Sequence, residues 1–285
     1  MIRPSLSRLA PSLLAIAATL LLAAAPPAND IPPDTASTAP TRPAARVFIA
    51  SDSTAAHYGA AQFPQMGWGM FLGCALPGDV QVVNMAHGGR STGTYVSDGF
   101  WAQLTGALEP GDTVLIQFGH NDEDTTKMFR HVDPPQYAQN LARFVAEVRA
   151  RKAVPVLLTP IARDEFDAGG HIRETHGAWA DAVRRVAAET QTPLIDLDAL
   201  AREWLGAAGP GKTGADRYFL IYDAADKVAR FPEGHRDTTH LNELGARSAA
   251  ALVAGALAKL DVPLAKRVHA PDPALQRALG APTCW

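Results

Sequence analysis

From Arg46 onward, short apolar runs alternate with longer amphipathic stretches. Val47-Phe48-Ile49-Ala50 is the first such run, and it ends abruptly in Ser51-Asp52-Ser53-Thr54. Runs of this length, β-branched and without polar alternation, read as buried parallel strands. Residues 80–85 and 113–118 have the same character, each introduced by a Pro-Gly-Asp turn. Residues 154–158 and 194–197 supply a fourth and a fifth strand. Between Pro134 and Lys152, Tyr137, Leu141, Phe144, Val145 and Val148 recur at helical spacing. Residues 176–189 read as a helix with Trp179, Val183 and Val186 on one side, and residues 241–260 as an Ala- and Leu-rich final helix. Strands alternating with helices predict an α/β fold whose parallel sheet is covered on both faces. No internal repeat interrupts the pattern.

The first residues follow a different pattern. Arg3 and Arg8 precede an apolar run over 13–25 that closes on Ala23-Ala24-Ala25. The basic start, short apolar core and small-residue end predict a secretory signal peptide over 1–25, too short for a membrane span. No cysteine lies near the expected cleavage point, so a lipid-anchored start is not expected. Residues 26–45, rich in Pro, Ala and Thr, read as a mobile linker. The expected product is exported, periplasmic or extracellular, with no span in the mature protein. Residues 46–262 are long enough for one well-buried domain, and 263–285 read as a proline-interrupted tail over its surface. The net charge of −3, with both signs intermixed, offers neither a basic nucleic-acid face nor a polybasic membrane patch. There are two cysteines, Cys74 and Cys284. Export permits a disulfide between them, and a buried Cys74 with a loose Cys284 fits equally. Nothing in the pattern specifies an oligomeric state.

Four segments carry candidate chemistry. Ser53 falls at the carboxyl end of a strand, where open α/β sheets bind ligands. It can be a nucleophile if a base and an oxyanion site are brought to it, or simply a helix cap. Asn84 to Ser91 follows the second strand and so lies on the same sheet edge. Its Gly88-Gly89 pair can bring a backbone N–H to a developing oxyanion, or form only a turn. Gly119-His120-Asn121-Asp122 follows the third strand, and its Asn121 amide is an oxyanion donor or an Asx-turn. Asp237-Thr238-Thr239-His240 precedes the final helix. A carboxylate and an imidazole three apart can face one site across a loop or first helical turn, as an oriented general base. Alternatively Asp237 caps the helix and His240 is solvated.

Taken together, these segments resemble the SGNH hydrolase superfamily, also called GDSL esterases. That family carries Ser, Gly, Asn and His in four blocks in this order, here Ser53, Gly89, Asn121 and His240, with Asp237 matching the triad acid. The resemblance spans 46–260. Closer features resemble its rhamnogalacturonan acetylesterase-like branch: Asp52-Ser53-Thr54, Gly67-Trp68-Gly69, Asn84, Gly89-Arg90-Ser91, Gly119-His120-Asn121-Asp122, and Thr159 to Arg163 with Thr175-His176. One departure is Ser51, where the family usually has glycine; a serine fits there if its φ is negative. The resemblance implies a three-layer α/β/α sandwich with a central parallel sheet of about five strands, flavodoxin-like in type. It implies that Ser53 attacks an ester carbonyl, His240 takes the proton and Asp237 orients His240. The Ser53 and Gly89 N–H groups and the Asn121 amide would receive the oxyanion, with no metal or organic cofactor. The implied substrate is an acetylated plant cell-wall polysaccharide, rhamnogalacturonan of pectin.

Other residues carry two readings each. Asp52 is expected to be structural, and His57, His87 and His120 to be packing or substrate-edge groups. Trp68 and Trp101 suit either a sugar platform or the core, and Arg90 and Arg163 either an anionic sugar or solvent. Three functional alternatives stand beside the acetylesterase. One is an esterase or lipase of the same superfamily acting on other acyl esters or glycans. Another is a metal-dependent hydrolase using His120, Asp122, Asp237 and His240, although the spacing is poor. The last is a non-catalytic carbohydrate-binding protein on the same scaffold.

Overall fold

A computed structural model describes residues 43–269. The expected signal peptide, nearly all of the expected linker, and Cys284 lie outside the described residues. Cys74 is disulfide-bonded.

The central sheet is built from β1 (Ala45–Ser51), β2 (Val80–Asn84), β3 (Thr113–Gln117), β4 (Val154–Leu158) and β5 (Leu194–Ile195). They lie in the order β2-β1-β3-β4-β5, and every pair is parallel. This is the flavodoxin-like order, which reverses direction between β1 and β3. A crevice opens there beyond the carboxyl ends of the strands.

Among the described residues, six α-helices cover the sheet: α1 (Thr92–Ser97), α2 (Phe100–Ala107), α3 (Pro134–Ala150), α4 (Gly177–Glu189), α5 (Leu197–Ala208) and α6 (Glu243–Leu257). Successive residues of a strand point to opposite faces, and β1 uses both. Phe48 and Ala50 pack with Tyr95, Trp101, Phe144 and Val183 of α1 to α4. Val47 and Ile49 pack with Leu205 and Val253 of α5 and α6 and with Trp68 and Leu72. Each Val, Leu, Ile or Phe side chain among them, fully buried, contributes about 1.5–3 kcal/mol. Trp68 and Trp101 are therefore core residues: they are buried, and their indole N–H groups donate to Gln117 and Glu147. The five apolar positions of α3 that set its helical spacing are all buried. Its start is fixed by Asp133, whose side chain accepts from the Gln136 N–H at 2.8 Å, and by Pro134 in the first turn.

The fifth strand is shorter than its apolar run suggests. It stops at Ile195 because Asp196 caps α5, accepting from the Ala199 N–H at 3.3 Å. The final helix begins at Glu243, capped by Asn242, while Leu241 belongs to a strand.

That strand changes the placement of the Asp237–His240 segment. Instead of a loop or a first helical turn, the segment lies on β7 (Gly234–Leu241), paired antiparallel with β6 (Phe219–Asp223). Leu220 pairs with Asp237 and Phe219 with Leu241, so one step along β6 spans four along β7. Thr238, Thr239 and His240 thus form a bulge. Bulges concentrate beside functional sites because they re-aim side chains. Here the bulge turns Asp237 and His240 to the same side. The strand was not legible in the sequence because its residues are mostly polar and show no apolar alternation.

After α6 the chain turns at Pro263–Arg267, and Leu264 and Ala265 are buried in the core on the α5–α6 side.

Candidate active site

Ser53 lies two residues beyond β1, on a loop held from several directions. The Asp52 carboxylate accepts from Thr54 N–H at 2.9 Å and Thr54 Oγ1 at 2.8 Å. Tyr58 Oη donates to the Ser53 carbonyl at 2.9 Å. Gln117 Oε1, at the end of β3, accepts from Ser51 Oγ at 3.1 Å and Trp68 Nε1 at 2.7 Å. Trp68 N–H donates to the Thr54 carbonyl at 2.9 Å, and Asn84 Nδ2 to the Ala55 carbonyl at 2.8 Å. The Gly67-Trp68-Gly69 motif follows from this contact. A Cβ on Gly67 would lie 2.3 Å from the Ala56 carbonyl oxygen, and one on Gly69 2.6 Å from that of Ala55. Only glycine lets the two segments approach so closely. Ser51 fits as the last residue of β1; it is not among the positive-φ positions, and its hydroxyl reaches Gln117.

The bulge of β7 meets this loop. His240 Nε2 lies 2.9 Å from Ser53 Oγ, and His240 Nδ1 lies 2.7 Å from Asp237 Oδ2. Asp237 also accepts from the backbone N–H of Thr239 at 2.9 Å and of His240 at 3.0 Å. Burial pushes the Asp237 carboxyl up, but the His240 ring and these N–H groups outweigh it and hold the carboxyl well below the usual range. An ionised Asp237 accepts a hydrogen bond from Nδ1–H, which leaves Nε2 as acceptor of the Ser53 hydroxyl.

Across the cleft, Gly88, Gly89 and Asn121 face Ser53. Gly89 has φ +77°, a left-handed conformation that favours glycine. Asn121 Nδ2 donates to the Arg90 carbonyl at 2.9 Å, which fixes the amide and leaves its second N–H available. The two loops are tied by Asp122, whose carboxyl accepts from Thr92 N–H at 2.9 Å and Thr92 Oγ1 at 2.5 Å. Burial raises the Asp122 carboxyl to about 7. The whole forms a cleft of about 770 Å³ over the β1–β3 switch point.

A layer of polar groups lies behind the cleft. Arg163 pairs with Glu123 and donates to Thr239 Oγ1 at 3.2 Å, beside His240. Glu123 also meets His176 Nδ1 at 3.2 Å. Burial drives the Glu123 carboxyl up, yet His176 and Arg163 hold it below its ordinary value. His120 is buried against His176, with Nδ1 3.6 Å from Asp52, and burial lowers its basicity. His87 stacks on Phe100 and His57 is exposed. Arg90 donates to Asp98 and to the Gly88 carbonyl. Because His120 and Asp122 turn to Asp52 and Thr92, they do not converge with Asp237 and His240. Among the described residues no group of three or more His, Cys, Asp or Glu side chains is disposed to hold a metal. Tyr58, Gln117, Glu123, Lys127 and Arg130 were not singled out by sequence. Their roles come from contacts across the fold, and no local pattern marks them.

Comparison with known proteins agrees with this geometry. The model of the GDSL-like lipase/acylhydrolase family matches residues 52–248. The probable rhamnogalacturonan acetylesterase YesY of Bacillus subtilis (strain 168) is 34% identical over 223 residues, covering 78% of this chain and 96% of that one. The rhamnogalacturonan acetylesterase RhgT of the same strain is 34% identical over 221 residues, covering 77% and 92%. Among solved structures, Bacillus subtilis YxiM superposes with TM-score 0.63 at 25% identity. That match covers 75% of this chain and 56% of YxiM, so the chain spans little more than half of that relative. An acetylxylan esterase from Geobacillus stearothermophilus shares the fold, with TM-score 0.54 at 18% identity over 75% of this chain and 94% of that one. The family match begins beside Ser53 and runs past His240, and the relatives align over nearly their whole length. The chain therefore belongs to the GDSL-like lipase/acylhydrolase family and is a carboxylic ester hydrolase.

Proposed function

We propose that the protein is an exported serine acetylesterase that removes acetyl groups from a plant cell-wall polysaccharide, rhamnogalacturonan of pectin. The contact of His240 with both Ser53 and Asp237 carries the mechanism. Ser53 Oγ attacks the acetyl carbonyl carbon while His240 Nε2 takes its proton. Asp237 supports the imidazolium that forms. Negative charge on the carbonyl oxygen is received by the Ser53 and Gly89 N–H groups and by the Asn121 amide. His240 then returns its proton to the departing sugar oxygen, leaving an acetyl-Ser53 ester. Water, deprotonated by His240, attacks that ester; acetate leaves and Ser53 is restored.

The polymer assignment is supported by YesY and RhgT, whose names give rhamnogalacturonan as their substrate. The open cleft suits a small acyl group on a long glycan. Each methylene in an acyl pocket gives only about 1–3 kcal/mol of discrimination, so a long-chain lipase needs an extended apolar channel. Export is supported by the pattern of residues 1–25.

Acetate release from acetylated rhamnogalacturonan and acetylated xylan, beside p-nitrophenyl acetate and octanoate, tests the proposal. Rhamnogalacturonan is expected to exceed xylan, and acetate to exceed octanoate. A preference for octanoate would overturn the short-acyl assignment; a preference for xylan would overturn only the polymer. Turnover that survives a chelator and is lost to a serine-directed inhibitor supports the serine mechanism over the metal one. Absence of all turnover would favour the binding protein.

A further inference from the structure

The loop between Asp124 and α3 has no part in the mechanism above, yet it forms one wall of the cleft through Asp124, Thr125, Lys127 and Arg130. It is a built structure. The Asp124 carboxylate accepts from Thr126 N–H at 2.9 Å and pairs with Arg130 through Nε and Nη2. Arg130 N–H closes a turn on the Lys127 carbonyl at 3.0 Å, and Val132 N–H returns to the Asp122 carbonyl at 2.9 Å.

The charges along the cleft divide unevenly. Glu123 is matched by Arg163, Asp124 by Arg130, and Asp237 is engaged by His240. Among the described residues, Lys127 Nζ has neither an ion pair nor a hydrogen bond, and it is exposed. Arg130 Nη1 makes no hydrogen bond among the described residues, and a Cβ built on Gly89 would lie 3.6 Å from it. Unengaged cationic N–H groups therefore stand on this wall, that of Arg130 beside Gly89 and that of Lys127 on the same cleft lining. On the same loop, Met128 and Phe129 are 69% and 78% exposed, two of the three exposed large apolar side chains among the described residues. Exposed apolar groups beside a cleft mark contact surfaces, and an aromatic ring packs against the C–H face of a sugar.

We propose that this loop is an anionic-sugar subsite, in which Lys127 and Arg130 Nη1 bind the carboxylate of a uronic acid residue while Phe129 packs on the glycan. The proposal rests on the polysaccharide esterase reading and adds the chemical class of the sugar recognised and the residues that recognise it. A lysine is a point-charge donor and an arginine a planar one, and both fit a carboxylate. The Asp124–Arg130 pair anchors the arginine so that little ordering is needed on binding.

The test uses non-acetylated oligogalacturonate as an inhibitor of p-nitrophenyl acetate turnover, beside its methyl ester and a xylo-oligosaccharide of equal length. The free acid is expected to inhibit best, and its advantage over the methyl ester to shrink as salt is raised. Lys127→Gln is expected to weaken inhibition by the free acid about 5–10-fold relative to the methyl ester. Phe129→Ala is expected to weaken both. Equal inhibition by acid and ester, or an equal effect of Lys127→Gln on both, would overturn the subsite. These outcomes do not depend on where the natural acetyl group sits. A chain that releases no acetate from pectin but still binds oligogalacturonate through Lys127 would refute the substrate proposal and leave the subsite standing.

Discussion

His240 Nε2 approaches Ser53 Oγ to 2.9 Å across 187 residues of sequence. The contact joins the end of a central parallel strand to a bulge in a peripheral antiparallel one. It predicts that Ser53→Ala lowers kcat for p-nitrophenyl acetate by several orders of magnitude with an unchanged circular dichroism spectrum. His240→Ala should lose nearly as much, and the double variant little more, because such groups act as a unit. Full activity in Ser53→Ala would refute the assignment.

Asn121→Ala is expected to cost about 10²–10³ in kcat, or about 2.7–4 kcal/mol, with a smaller change in KM. The Asn121 amide is already oriented by the Arg90 carbonyl, so in the proposed mechanism its second N–H would meet the oxyanion without reorganisation. Steady-state kinetics would check this; a loss confined to KM would remove Asn121 from the oxyanion site.

Gly67→Ala should damage both stability and activity. Its Cβ would meet the backbone of Ala55 and Ala56 at 2.3–2.5 Å, which forces apart the Trp68 segment and the Ser53 loop. The expected cost is about 1–3 kcal/mol. Gly106→Ala, in α2 with open space around it, is the control and should be stabilising by about 0.5–1 kcal/mol. Thermal melts of the two variants should move in opposite directions.

The acid limb of stability should depend on Asp237. Its carboxyl titrates below the ordinary 3.8 in the folded protein. A depressed carboxylate contributes stability that is full above the unfolded value and is lost as pH falls through the folded one. Between about pH 5 and pH 2 the wild type should therefore lose more stability than Asp237→Asn. Parallel melting curves over that range would count against an ionised Asp237 in the folded state.

If the protein is exported as proposed, mass spectrometry of the secreted material should find a start near residue 26, because the basic start, apolar core and small-residue end of 1–25 predict a cleaved leader. An intact Met1 on material recovered outside the cytoplasm would overturn this.

The sequence by itself determined the parallel sheet and three of the helices that cover it, α3, α4 and α6, while α1, α2 and α5 were not read from it. The inner strands β1, β3 and β4 are largely buried on both faces, so they appear as near-continuous apolar runs, and α3 shows its buried stripe at helical spacing. The sheet edge carrying Ser53, Gly89 and Asn121 was legible for the same reason, since each follows a strand of one parallel sheet. The β7 strand was not legible, because its polar residues are ordered by pairing with the apolar run of β6 and by a bulge rather than by an apolar face of their own. Nor was α5 separable from β5, where Asp196 ends the one by capping the other. Only the tertiary structure decided that Trp68 and Trp101 are core, that Gln117 gathers Ser51 and Trp68 beneath the Ser53 loop, and that Lys127 stands on the cleft wall without an ion partner among the described residues. Those properties depend on distances between segments far apart in the chain. Local residue patterns record which face of an element is buried, not which distant side chain will meet it.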